Sequence, residues 1–144
     1  MSNLLVQNIK HTNGTTAVEI NTSAQMTVKS DGGATTTSLQ QGLCKAWNNF
    51  DNDGTAAFND SFNFASITDN GTGQMQMNVT NAFSNSTYTH VGGGTHDGGS
   101  YVVSLYFNHD STKNTTQAEF DSRHTDQSQT DAEFMSLAYL GDLA

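Results

Sequence analysis

Along the 144-residue chain, apolar residues recur mostly at alternate positions in short runs, the period of a half-buried β-strand. Leu4 to Ile9 reads as a first short strand. Thr16 to Ile20 places Val18 and Ile20 on one side, and Met26 alternates with Val28. Polar turns separate them at His11-Thr12-Asn13-Gly14 and Asn21-Thr22-Ser23, the first carrying the Asn-Gly hairpin signal. Ser30 to Thr37 reads as a flexible connector around Gly32-Gly33, and Ser38 to Gly42 as one helical turn ended by its glycine. The pattern predicts N-terminal stalk strands over 1–30, a connector over 31–42 and a larger β-domain over 43–144.

Beyond the connector the runs lengthen. Leu43 to Phe50 reads as a strand with Cys44 and Ala46 on one side and Lys45 and Trp47 on the other. Asp51-Asn52-Asp53-Gly54 reads as a turn. Asp60 to Ile67, with Phe62 and Phe64 on one face, and Gln74 to Val79, with Met75, Met77 and Val79 on one face, predict a hairpin across a turn from Thr68 to Gly73. Ser86 to Val91 continues the series, Val91 to Gly99 reads as a glycine-dense loop, and Tyr101 to His109 as a central strand. Gln117 to His124 and a closing strand from Glu133 to Leu140 complete about seven strands. The expected class is all-β: a short β-stalk, then an antiparallel, jelly-roll-like β-sandwich head.

The stalk strands are too sparse to bury their own apolar side, since isolated hairpins are marginal in water. Leu4, Val6, Ile9, Val18, Ile20, Met26 and Val28 are therefore candidate oligomer contacts, covered by sister chains wound about a common axis. Packing of the same strands against the following domain is the other solution.

Composition narrows the picture. Apolar residues make up 34% of the chain, below the usual ~45–50%, yet eight Phe, four Tyr and one Trp fall at strand spacing and argue for folding. Proline is absent, so Gly, Asn and Asp must make the turns. A net charge of −9 opposes binding to nucleic-acid phosphates or to an anionic membrane. No apolar run is long enough for a secretory signal or a spanning helix, so folding in a cytosol is the default expectation. One cysteine, Cys44, excludes an intrachain disulfide framework.

Chemistry-bearing patterns are few. Asp51, Asp53 and Asp60 hint at calcium, but Gly54 stands at the fourth loop position and Thr55 at the fifth, so turn chemistry explains the run. The histidines form no HExxH or His-X-His pair. Cys44 has no nucleophile signature and no Gly-X-Ser-X-Gly elbow occurs. The expectation is a non-enzyme without cofactor or metal. Tyr88, His90, His96, Asp97 and Tyr101 bracket the glycine loop and form a candidate recognition surface, able to stack on and hydrogen-bond a sugar. In the alternative, Tyr88 and Tyr101 pack into the sheet.

The stretch from Lys45 to Val91, with its KAW, DSFN and SITDNGTG elements, resembles a module of tail-fibre-like proteins from marine tailed phages. Val6 to Val28 is similar to the stalk repeats before such modules, and FMSLAYLGDL to their closing strand. The resemblance implies a virion structural protein, usually trimeric, assembled in the host cytoplasm among other virion proteins of tail or capsid. The chain starts almost directly in the stalk, without the long anchoring domain of a full fibre. A homotrimeric fibre or spike, with a possible host-surface polysaccharide partner, is the first expectation. A capsid decoration protein and a free carbohydrate-binding module are the alternatives.

Overall fold

The computed structural model describes residues 8–10, 12, 14, 16–20, 26–29, 36–95, 102–107 and 113–144. The chain divides into two compact units, Met1–Leu43 and Cys44–Ala144. In the first, β1 (Asn8–Lys10), β2 (Thr16–Ile20), β3 (Met26–Lys29) and β4 (Thr36–Ser38) form an antiparallel meander, followed by one helical turn, α1 (Leu39–Gly42). Gly14 takes φ of 85° in the β1–β2 turn, the left-handed backbone that Asn-Gly anticipates. The expected connector is shorter than its composition suggests: its last residues form β4, which pairs with β3. Threonines at 36 and 37 suit an extended backbone as well as a loop.

Register sorts this sheet by polarity. Ile9 lies opposite Val18, Val18 opposite Val28, and Ile20 opposite Met26. Opposed residues share a face, as do residues two apart, so all of these apolar side chains project from one side. The other side carries the row Asn8, Glu19, Thr27 and Ser38. On this face Ile9 is 59% exposed, Ile20 39% and Met26 37%, while Val18 and Val28 are half-buried. Leu4 and Val6 lie outside the described residues.

The second unit is one antiparallel sheet of β5 (Ala46–Asp51), β6 (Ala57–Phe62), β7 (Phe64–Gly71), β8 (Gln74–Val79), β9 (Thr89–Thr95), β10 (Val102–Phe107), β11 (Gln117–Arg123) and β12 (Phe134–Leu140). Its order is β6-β5-β12-β9-β10-β11-β8-β7. The two outermost strands are consecutive in sequence and separated only by Asn63, so the sheet curls until its edges meet at that corner. The result is all-β, nearly a closed barrel, with opposed arms facing each other as the layers of a β-sandwich do. Phe50, Met75, Met77, Val103, Phe120, Met135 and Tyr139 fill the space between them at 1% exposure or less. Burying a side chain of this size contributes about 1.5–3 kcal/mol.

Three expectations are corrected here. Asp60 to Ile67 is not one strand: Asn63 adopts φ of 60°, splitting β6 from β7. Phe62 is therefore exposed and Phe64 buried, although strict alternation puts them on one face. The segment from Val91 to Thr95 is not a loop but the body of β9, an interior strand between β12 and β10. A Cβ on Gly94 would stand 2.0 Å from the Phe134 carbonyl oxygen, and one on Gly92 would stand 2.6 Å from that of Ser136. These glycines are present for close approach, not for a turn. Finally, the turn expected over Thr68 to Gly73 is shorter, because β7 runs to Gly71 and β8 begins at Gln74; the last strand, β12, pairs with β5 on one side and β9 on the other.

Candidate functional site

Of the side chains proposed around the glycine run, the structure describes Tyr88 and His90, and both are drawn into the domain. Tyr88 is 4% exposed and its ring stacks on Phe83 at 4.2 Å. Its hydroxyl lies 3.0 Å from the Asn114 carbonyl oxygen and 3.1 Å from that of Gln117. Burial pushes the phenol up to about 12. Tyr88 is thus a core residue, and its face is unavailable to a sugar. His90 is half-buried, edge-on to Phe107 at 4.1 Å, with Nε2 3.4 Å from the Leu105 carbonyl oxygen. Burial holds its pKa below the ordinary histidine value.

Lys113 joins this cluster, a residue that no motif nominates. Its Nζ lies 4.4 Å from the Tyr88 ring centre and 4.2 Å from that of Phe107, and it donates to the Tyr88 carbonyl oxygen. Burial lowers its pKa. His96, Asp97 and Tyr101 lie outside the described residues.

The turn aspartates act locally. Asp51 Oδ1 accepts the Asp53 amide at 2.8 Å, and Asp60 Oδ1 accepts the Ser61 amide at 2.8 Å. Among the described residues, no three His, Cys, Asp or Glu side chains converge as metal ligands would.

A different arrangement lies on the outside of the sheet. Trp47 of β5 pairs with Ala138 of β12, and Ala138 with Val91 of β9. One pleat along, Asn49 pairs with Ser136, and Ser136 with Gly93. Ala138 thus lies between the larger Trp47 and Val91, and Ser136 between Asn49 and Gly93. They form an open groove of about 550 Å³, lined by Trp47, Asn48, Asn49, Val91, Gly92, Gly93, Ser136, Leu137 and Ala138. Trp47 is 40% exposed, and its partner across β6, Phe62, is 52% exposed. No lysine or arginine lines the groove.

Its polar side is ordered. Asn49 Nδ2 donates to the Met135 carbonyl oxygen and to Ser136 Oγ, each at 3.1 Å. Asn59 Nδ2 donates to Asn49 Oδ1 at 3.0 Å. The backbone groups of β12 are engaged with strands on both sides, so side chains carry whatever recognition occurs here. The sequence signal was the outward parity of the chain's one tryptophan, between buried Ala46 and Asn48.

No protein-family profile matches the chain. No curated protein matches it either. Among solved structures it is similar to the phiAB6 tailspike, determined in complex with three-repeated oligosaccharides of Acinetobacter baumannii surface polysaccharide. The TM-score is 0.58 at 12% sequence identity. The match covers 99% of this chain but 29% of the tailspike, so this chain corresponds in fold to a minor part of that protein.

Proposed function

We propose that this chain is a phage virion structural component, a homotrimeric fibre or spike carried on tail or capsid, whose larger domain contacts host-surface polysaccharide. The observation that carries the reading is the one-sided N-terminal sheet. Its apolar face, with Ile9, Val18, Ile20, Met26 and Val28, has the composition of half a core. A sheet with one apolar face needs a second layer, and identical chains arranged about an axis supply it symmetrically. The fold shared with part of a phage tailspike supports the same reading. The chain carries out no reaction in this proposal and uses no cofactor.

Sedimentation velocity and chemical cross-linking of the full chain test it. The expected species has three times the 15.4 kDa chain mass. Replacing Val18 and Val28 together by aspartate, which places charge in the shared layer, should convert it to monomer. A native chain that stays monomeric at high concentration overturns the trimer. A trimer that tolerates the double substitution removes the sheet as its cause.

A further inference from the structure

We propose that the groove across β5, β12 and β9 binds an uncharged glycan, with Trp47 as its stacking platform and Ser136 as a fixed hydrogen-bond donor. This inference rests on the polysaccharide-contact part of the reading above, and it moves the site away from Tyr88 and His90.

The argument is chemical complementarity. A pyranose presents an apolar C–H face and a rim of hydroxyls, so its site needs an exposed aromatic ring beside ordered polar groups. Trp47 supplies the ring, with Phe62 extending the platform across the strand pair. Ala138 and Gly93 keep the floor low, so a ring can settle against the wall. Asn49 is held by Asn59 and in turn donates to Ser136 Oγ. That bond leaves the serine's own O–H free to donate outward. A row held by its neighbours loses little entropy on binding.

Charge selects among glycans. Among the described residues no cationic side chain lines the groove, Asp60 lies opposite Asn49 beside its rim, and the whole chain carries −9. A uronate- or sialate-bearing chain would be repelled with nothing to pair it. A sister subunit seated on the mostly apolar lining is the competing occupant, and the oligomer readout below separates it from a sugar.

The test uses the full chain on an array of neutral and uronate-bearing bacterial oligosaccharides. Bound sugars are then titrated by intrinsic emission, for which Trp47 is the chain's one tryptophan. Neutral oligosaccharides should bind and shift the emission. Trp47→Ala, which lacks the emission probe and is titrated by calorimetry, should weaken binding about tenfold or more. Ala138→Gln, which raises the floor without removing a core group, should do the same, and Leu143→Ala should not. Binding that survives both groove variants overturns the groove while leaving the polysaccharide reading intact. Preference for uronate-bearing sugars overturns the charge argument and with it the proposal. Failure to bind any glycan overturns both readings. Loss of the oligomer in Trp47→Ala assigns the groove to a subunit interface and overturns the site.

Discussion

Alanine at Gly94 offers a sharp test of β9. The new Cβ would stand 2.0 Å from the Phe134 carbonyl oxygen, 1.0 Å inside the 3.0 Å approach that real Cβ atoms respect, and 2.5 Å from the Met135 sulfur. The first obstacle is backbone, which cannot swing aside. Relief requires β9 and β12 to part locally. Overpacking of this kind costs about 1–3 kcal/mol, and each ladder hydrogen bond lost adds about 0.5–1.5. The stiffer unfolded chain returns only about 0.4–1 kcal/mol. The net expectation is a loss of about 3 kcal/mol, or a fall in Tm of roughly 12–24 °C for a unit of this size. Gly93 is the internal control, because a Cβ there meets nothing closer than the Val103 carbonyl oxygen at 3.3 Å. Gly93→Ala should stay within about 1 kcal/mol of the parent. Urea unfolding followed by tryptophan emission, at one fixed protein concentration, measures both. If Gly94→Ala is no less stable than Gly93→Ala, residues 92–94 are an open loop and the strand assignment is wrong.

Asn63 should show a graded series. Asn63→Gly keeps the φ of 60° but loses the donation to the Lys45 carbonyl oxygen and the acceptance from the Asn81 amide, costing about 1–2 kcal/mol; Asn63→Val adds β-branched strain and should cost about 3 or more. Equal denaturation midpoints for the two variants would remove the strain argument. His90 is held neutral to lower pH than in the unfolded chain, chiefly by burial. Its stabilising effect is therefore complete above the ordinary value of 6.5 and is lost as pH falls from there through the folded value. Urea midpoints measured between about pH 7.5 and 5 should fall less steeply for His90→Gln than for the parent, and parallel slopes would contradict this. Among the described residues the buried Tyr139 hydroxyl has no hydrogen-bond partner, so Tyr139→Phe should leave stability unchanged or raise it by about 1 kcal/mol. A clear loss in calorimetry would show that the hydroxyl is bonded.

The β-content, the N-terminal hairpins and the β7–β8 hairpin were legible because each rests on local parity and turn chemistry. Met75, Met77 and Val79 are buried together as their alternation requires, and Gly14 and Gly54 take positive φ in the turns their neighbours announced. What stayed hidden depends on partners distant in sequence. Glycines at 92–94 look like a loop until β12 is brought alongside them. Asn63 looks like any strand polar residue until the left-handed turn sends Phe62 out and Phe64 in. Tyr88 has the chemistry of a sugar platform, but the packed alternative holds, with its ring against Phe83. Trp47 was placed opposite Ala46 in parity, yet the groove beside it appears only when Ala138 and Ser136 of β12 are brought alongside. None of the groove residues was nominated from the sequence, because the groove exists only where three strands distant in sequence lie side by side.

The position of β12 between β5 and β9 has a consequence for biosynthesis. Without residues 134–140 the sheet exists as two fragments, β6-β5 and β9-β10-β11-β8-β7, each ending in an unsatisfied edge. A ribosome delivers both fragments before the strand that joins them, so the nascent domain must wait with two adhesive borders open. Folding is then a late, all-at-once event, and chains that terminate before residue 134 are the species expected to clump in the producing cell.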